Sequence, residues 1–118
     1  MNAFSRKDAV GTLESYAAII VLHLALITFF PKNDAQRHWQ IEIDSFRKIL
    51  ARFNKGKSKS KQNFNVEFII DALSEQFEGN HEKDILLSII DTKGLHIEPE
   101  KANWTALETR VHEFARSV

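Results

Sequence analysis

The sequence predicts an all-α fold, a compact bundle of about five helices. The chain has 118 residues, which suits one domain, and it contains only four Gly and two Pro. Strands and hairpins need turn residues more often than that. Apolar residues also recur at steps of three and four in four segments, which is the spacing of amphipathic helices. We therefore expect residues 1–118 to form a single helical domain.

The first helix is expected to be the central element of the bundle. A capping-box spacing places its start near residue 6, with Thr12 as an alternative, and Pro31 should end it at about Phe30. Its segment 17–30, AAIIVLHLALITFF, is apolar on nearly all sides and should be buried by the rest of the fold. This run is shorter than the roughly 20 residues that span a bilayer, so no membrane role is expected.

Two amphipathic helices should follow. Helix two begins after a capping signal at residues 33–36, and helix three begins near Asn65 and is broken at residues 79–80. The apolar stripe of helix two is Trp39, Ile43, Phe46, Leu50 and Phe53, widened by Ile49, and that of helix three is Val66, Ile69, Ile70, Leu73 and Phe77.

Helices four and five complete the predicted bundle. Asn80 should cap helix four, residues 93–94 should stop it, and Pro99 should lie in the first turn of helix five, after an extended connector. The apolar residues are Ile85, Leu86, Ile89 and Ile90 in helix four and Trp104, Leu107, Val111, Phe114 and Val118 in helix five. The narrow seam of helix five fits either the core or a partner chain, a homodimer included. Its candidate interface residues are Trp104, Leu107, Val111 and Phe114.

The net charge of zero hides a division between the two halves of the chain. Residues 1–63 carry 11 Lys/Arg and 5 Asp/Glu, whereas residues 64–118 carry 5 and 11, so the halves have charges of +6 and −6. Segment 54–63, NKGKSKSKQN, has no apolar residue and is expected to be a flexible basic loop. The division indicates a basic binding face or two halves that attract each other.

A basic segment between Asp44 and Glu67 is a candidate site for an anion or a nucleic acid. Its seven cations are Arg47, Lys48, Arg52, Lys55, Lys57, Lys59 and Lys61. They could neutralise phosphates while Phe53 or Phe64 stacks on bases. The alternative is a solvated loop that maintains solubility. The sequence contains no recognised nucleic-acid module.

No motif in the sequence specifies a reaction. Residues 51–58 match a relaxed phosphate-loop pattern, but such a loop follows a strand, whereas Ala51 lies in a predicted helix. A G-x-S-x-G elbow and an H-E-x-x-H motif are both missing from the sequence. The chain is therefore expected to be non-catalytic and to need no cofactor.

Metal binding is not expected either. The pairs His38/Glu42 and Glu108/His112 stand four residues apart, and each could supply two ligands, whereas most metal sites use three or four. His23 lies in the most apolar helix. We expect it at the polar edge of that helix or satisfied by one hydrogen bond, rather than acting as an acid, base or ligand.

The absence of Cys excludes disulfides and thiolate metal sites, and it is natural in a reducing compartment, so a cytoplasmic location is expected. The leading hypothesis is a small protein-interaction module: an adaptor, an inhibitor or immunity protein, or a subunit of a complex. The alternative is a nucleic-acid-binding accessory protein that uses residues 47–61.

Overall fold

The computed structural model describes residues 6–56 and 65–118, with side chains described at 13–52 and 65–118. Within these ranges the chain forms only helices, which confirms the all-α prediction. The helices are α1 (Arg6–Phe29), α2 (Gln36–Gly56), α3 (Val66–Ser74), α4 (Asn80–Thr92), a short 3-10 helix (Pro99–Lys101) and α5 (Trp104–Ser117).

Helix α1 is the centre of the bundle, as the sequence predicts. It packs against each of the four other α-helices. All residues from Leu24 to Ile27 are buried, and so are Leu13 and Ile20 in its earlier turns. Burial on several sides requires apolar residues all around the helix, and residues 17–30 supply them. Among the described residues, no helix is both long and apolar enough to cross a membrane.

Helices α1 and α2 form an antiparallel hairpin that Gln36 fastens at its closed end. The Gln36 side chain donates from Nε2 to the carbonyl oxygens of Ile27 (3.0 Å) and Phe30 (2.7 Å). These carbonyls lie at the end of α1, where they have no intrahelical partner. The Asn33 side chain accepts from the Ala35 N–H at 2.8 Å, in the turn before α2. Helix α2 begins only at Gln36, the last residue of the predicted capping signal, and Gln36 caps the preceding helix rather than its own.

Helix α3 packs on α1 and α5 and is shorter than expected. Asn65 caps it as the predicted start requires, accepting from the Phe68 N–H at 2.6 Å. The helix ends at Ser74, so Phe77 lies in the following turn, although it remains buried.

Trp104 joins four parts of the fold. Its ring meets Phe29 of α1 edge-to-face at a centroid distance of 5.2 Å and stacks on Phe77 at 6.5 Å. The Lys83 ammonium lies 5.2 Å from the ring centroid, and the indole N–H donates to the Pro99 carbonyl at 3.3 Å. This one side chain therefore ties α5 to α1, to the turn after α3, to α4 and to the 3-10 helix.

The predicted start of helix five was wrong. Pro99 begins the separate 3-10 helix, and α5 begins at Trp104. Between these two helices the backbone of Ala102 is extended, and this ends the 3-10 helix. Asn103 then caps α5 by accepting from the Ala106 N–H at 3.0 Å. A proline fits the first turn of either kind of helix, so its position alone does not distinguish them.

Only one of the two predicted ends of α4 agrees with the structure. Its predicted stop is confirmed, because Gly94 has a φ of +80°, the left-handed conformation that glycine adopts readily after a helix. Its predicted cap was wrong: Asn80 is the first helical residue, and Gly79 occupies the cap position without a side-chain hydrogen bond.

The predicted apolar face of helix four was only half right. Leu86 and Ile90 are buried, whereas Ile85 and Ile89 are 47% and 38% exposed. Successive residues of a helix lie about 100° apart, so a helix that meets its core along one narrow line buries one residue of each adjacent pair.

The first three residues of the predicted basic loop are part of α2 instead. Helix α2 continues to Gly56, so residues 54–56 are helical, and residues 57–63 lie outside the described residues. Ala51 lies inside α2, so the first six positions of the phosphate-loop match are helix rather than a turn after a strand. The match therefore lacks the strand that its chemistry requires.

Candidate interaction surfaces

A basic face runs along the solvent side of α2. We define the α2 basic face as Arg37, Ile41, Ser45, Lys48 and Arg52, all exposed and separated by helical steps of three and four. It extends about 22 Å at the rise of an α-helix. Ile41, one turn from Arg37, is 54% exposed, the largest exposure of the four exposed large apolar side chains among the described residues. The face therefore combines cations at both ends with one uncovered apolar side chain.

Arg47 is not part of this face, although the sequence groups it with the other cations. Its Nε donates to the Ser117 hydroxyl at 2.7 Å, and its guanidinium forms an ion pair with Asp44. Its Cζ also lies 5.9 Å from the centroid of the Phe114 ring. The hydrogen bond from Arg47 holds the pKa of Asp44 below its ordinary value. Arg47 therefore ties α2 to the end of α5.

The remaining candidate cations are placed unequally. Lys48 and Arg52 are exposed on the α2 basic face, and Lys55 lies within α2 by its backbone, though outside the described side chains. Lys57, Lys59 and Lys61 lie outside the described residues. The structure thus brings two of the seven onto one described surface.

We predict that Arg47→Ala lowers the free energy of unfolding by about 1 kcal/mol, since it removes a hydrogen bond between two helices. Lys48→Ala, one residue along the same helix, should change it by less than about 0.5 kcal/mol, as exposed surface substitutions usually do. Urea denaturation followed by circular dichroism measures both. Equal losses would show that Arg47 does not fasten α5.

Helix α4 presents a second exposed surface. We define the α4 surface as Glu82, Ile85 and Ile89. Ile85 and Ile89 lie one helical turn apart and Glu82 lies beside them, whereas Asp84 and Asp91 lie roughly 100° or more away around the helix. Glu82 is half-buried, and Lys93, one turn beyond Ile89, is exposed. The surface is therefore an uncovered apolar pair with charges of both signs near it.

The candidate interface stripe of α5 lies mainly in the core. Leu107, Val111 and Phe114 are buried within this chain, and Trp104 is half-buried among the contacts described above. Burial in the core of this chain therefore explains the apolar stripe of α5, and no partner chain is needed to explain it. Its apolar spacing alone could not distinguish the two, because a core and an interface bury the same pattern.

An exposed ionic cluster lies at the C-terminal end of α4. The sequence did not predict it. His96 lies in the connector after α4, with Nδ1 2.9 Å from an Asp91 oxygen and Nε2 2.8 Å from a Glu98 oxygen. The hydrogen bond with Asp91, followed by that with Glu98, raises the pKa of His96 above its ordinary value. The cluster holds the connector against the C-terminal end of α4.

The raised pKa gives this cluster a defined pH dependence. The stability that His96 contributes should be fully present below the ordinary histidine value of about 6.5 and should be lost as pH rises through its higher folded-state pKa. Asp91→Asn should lower the His96 pKa measured by NMR titration, and Glu98→Gln should lower it less. A His96 pKa that neither variant changes would contradict the assignment.

The surface also contains an open groove of about 290 Å³ between α1, α2 and α5. Its floor is apolar, formed by Leu24, Ile27, Ile43 and Phe114, and its rim is polar, formed by Gln40, Arg47, Arg110, Glu113 and Ser117. The best-placed cation of the rim, Arg47, is already bound to Asp44 and Ser117. The groove is therefore part of the α2–α5 junction.

In the part of the chain that the structure describes, no three His, Asp or Glu side chains are arranged to hold a metal ion; in the His96 cluster the two carboxylates bind opposite nitrogens of the ring. His38 Nε2 lies 3.8 Å from Glu42 Oε1, and the two side chains form a pair on the surface of α2. His23 places Nδ1 2.8 Å from the Ile19 carbonyl, which fits an N–H donor there, and its ring meets the edge of Phe46. The expected single hydrogen bond of His23 is thus confirmed.

No protein-family model, no curated protein and no solved structure matches this chain. The functional proposal therefore relies on the two exposed surfaces described above, the α2 basic face and the α4 surface.

Proposed function

We propose that this protein is a small, non-catalytic protein-interaction module of the cytoplasm. It would act as an adaptor, as an inhibitor or immunity protein, or as a subunit of a complex. In each case it binds a protein partner through the α4 surface. The observation that carries the proposal is the pair Ile85 and Ile89, exposed side by side on a helix whose other face completes the core. The absence of Cys fits the proposed location.

Covering this pair would release apolar surface from water. Burying a large aliphatic side chain is worth roughly 1.5–3 kcal/mol relative to full exposure. Since each of the two is about half exposed, a partner that covers both would gain on the order of 2 kcal/mol from them. That gain suits the centre of an interface, where charged residues are depleted and apolar ones are covered.

The experiment compares three versions of the protein purified from its native cells: the wild type, the double variant Ile85→Ser/Ile89→Ser, and the control Ile19→Ser. Ile19 is 42% exposed on α1 and therefore matches the tested residues in size and exposure. The double variant should lose about tenfold or more of a stoichiometric partner, equivalent to about 1.4 kcal/mol of binding free energy. The control should keep it.

Circular dichroism must first show that all three versions are folded. A double variant that recovers the same partner at the wild-type level would contradict the proposal. So would a control that loses as much partner as the double variant, because the effect would then not belong to the α4 surface.

A second function, nucleic-acid binding, is favoured by one specific observation: Arg37, Lys48 and Arg52 are exposed on the same side of α2. A row of cations about 22 Å long can follow several phosphates of a nucleic-acid strand. The basic residues at 55–61 would extend the row along the chain.

This second function predicts a steep dependence on salt. Five to seven phosphate contacts give a slope of about −4 to −6 for the logarithm of affinity against that of salt on duplex DNA. Replacing Lys55, Lys57, Lys59 and Lys61 together with Ser should flatten the slope and weaken binding to all sequences alike. If the interaction module is the correct function, the same change leaves the fold and the principal partner intact, since hot spots are usually buried aromatic or Arg residues. Micromolar binding at physiological salt, abolished by the four changes, would favour the nucleic-acid function.

A further inference from the structure

We propose that the pocket between α4, α5 and the turn after α3 binds an organic ammonium group, and that the ammonium of Lys83 occupies this site in the free protein. The pocket is open to solvent and has a volume of about 200 Å³. It is separate from the α4 surface and therefore does not depend on the proposed function. This Trp104 pocket combines aromatic rings with carboxylates, and it is lined by Phe77, Glu78, Lys83, Trp104, Thr105 and Glu108.

Two aromatic rings form the apolar wall of the Trp104 pocket. The centroids of the Trp104 and Phe77 rings lie 6.5 Å apart, with 15° between the ring planes. Phe77 is buried, whereas Trp104 is half-buried. Trp104 is also held by the ring of Phe29 and by its hydrogen bond to the Pro99 carbonyl. The wall is therefore fixed before a ligand arrives, and the faces of such rings attract cations.

Lys83 shows that this wall accepts an ammonium group. Its Nζ lies 5.2 Å from the centroid of the Trp104 ring, within the roughly 6 Å over which a ring attracts a cation. Lys83 lies on the same side of α4 as the buried Leu86 and Ile90, which brings its half-buried side chain towards the core. Among the described residues, no ion pair involves Lys83. The ring of Trp104 is therefore the partner that the structure gives to this charge.

Two carboxylates at the rim can stabilise a further cation. Glu108 lies one turn after Trp104 on the same face of α5, and Glu78 directly follows Phe77. Both are exposed, and in the described part of the chain neither forms an ion pair. The rim thus carries two negative charges for the single positive charge of Lys83. A cation that replaces the Lys83 ammonium over the ring therefore meets an acidic environment.

The ligand class that suits this site is the trimethylammonium group. A ligand must compete with Lys83, which pays no cost of association because it belongs to the chain. A primary ammonium is strongly hydrated and gains little by the exchange. A trimethylammonium group has no N–H to leave unpaired, and aromatic-lined sites recognise such quaternary groups. A free small molecule and a trimethylated lysine of a peptide both present this group.

The test is a titration followed by NMR of the indole N–H groups. The probes are choline, as the free small molecule, and a short peptide that contains one trimethylated lysine, with the unmethylated peptide as the comparison. Sodium chloride keeps the ionic strength constant. The chain has two Trp, and Trp39 is buried in α2, so its signal is the internal reference. The Trp104 signal should move with at least one trimethylammonium probe, while the Trp39 signal stays.

Three variants, each first shown by circular dichroism to be folded, locate the site. Lys83→Met removes the resident charge and keeps an unbranched side chain, so it should tighten binding about two- to fivefold, as the loss of one exposed cation–π competitor implies. Lys93→Met removes the same charge from an exposed position directly after α4 and should bind like the wild type. Glu108→Gln should weaken binding by up to about fivefold, as the loss of an exposed ion pair does.

A Trp104 signal that neither trimethylammonium probe moves, in the wild type and in Lys83→Met alike, would overturn the inference. So would equal affinities of the wild type and Lys83→Met, since Lys83 would then not occupy the site. An unmethylated peptide that binds as tightly as the methylated one would contradict the ligand class. If the site binds as proposed, the tighter of the two trimethylammonium probes identifies the source of the group. None of these outcomes changes the test of the α4 surface, which uses Ile85→Ser/Ile89→Ser.

Discussion

Replacing Ile20 with asparagine should largely unfold the protein. Ile20 is fully buried in α1, the helix that contacts every other α-helix. The change removes a large aliphatic side chain from the core, at a cost of about 2–5 kcal/mol, and buries an amide that costs a further 1–3 kcal/mol, roughly, if it has no partner. Domains of this size are stable by only about 5–15 kcal/mol in total, so most of the stability would be lost.

The adjacent residue supplies the control for this prediction. Ile19→Asn makes the same chemical change at a position that is 42% exposed, and it should cost less than about 1 kcal/mol. Urea denaturation followed by circular dichroism measures both variants. Similar losses at the two positions would show that α1 is not oriented as described.

Replacing Phe114 with alanine should lower the free energy of unfolding by about 3–5 kcal/mol. Phe114 is buried in α5, and the ring also supports the guanidinium of Arg47. The loss corresponds to a fall in melting temperature on the order of 10–20 °C for a domain of about this length. Ile41→Ala removes apolar atoms from an exposed side chain and serves as the control, with little change expected.

The same variant separates the two interpretations of the α5 stripe. If Phe114 belongs to the core of one chain, the substitution lowers stability equally at all protein concentrations. If it belongs to an interface between chains, the loss depends on concentration, because association contributes to stability by mass action. Thermal denaturation at two widely separated concentrations distinguishes these outcomes.

The helices could be predicted from the sequence because their apolar residues recur at a period that only a helix satisfies. The signal was strongest where one stripe per helix was available, as in α2 and α5. It failed for Ile85 and Ile89, since α4 has more apolar residues than one face can bury and periodicity does not say which face meets the core. Pro99 misled for a related reason, because it fits the start of a 3-10 helix as well as that of an α-helix.

The contacts of the candidate surfaces were harder to predict than the helices. Arg47 was grouped with its basic neighbours, yet its decisive partner, Ser117, lies 70 residues away in the sequence. The cluster of His96 with Asp91 and Glu98 depends on the turn after α4, whose geometry no residue spacing determines. Lys48 and Arg52 are exposed on the side of α2 opposite its apolar stripe, and their binding of an anion stays a prediction.

The central claim, that the uncovered isoleucines of α4 are a binding site, is tested most directly by cross-linking in native cells. A photoreactive phenylalanine analogue is placed at Ile85 in one version of the protein and at Ile19 in another. Both positions are exposed, so the analogue should be tolerated at each. We expect a discrete cross-linked product from position 85, with either a second copy or another protein, and none from position 19. No product from position 85, or the same products from both positions, would contradict it.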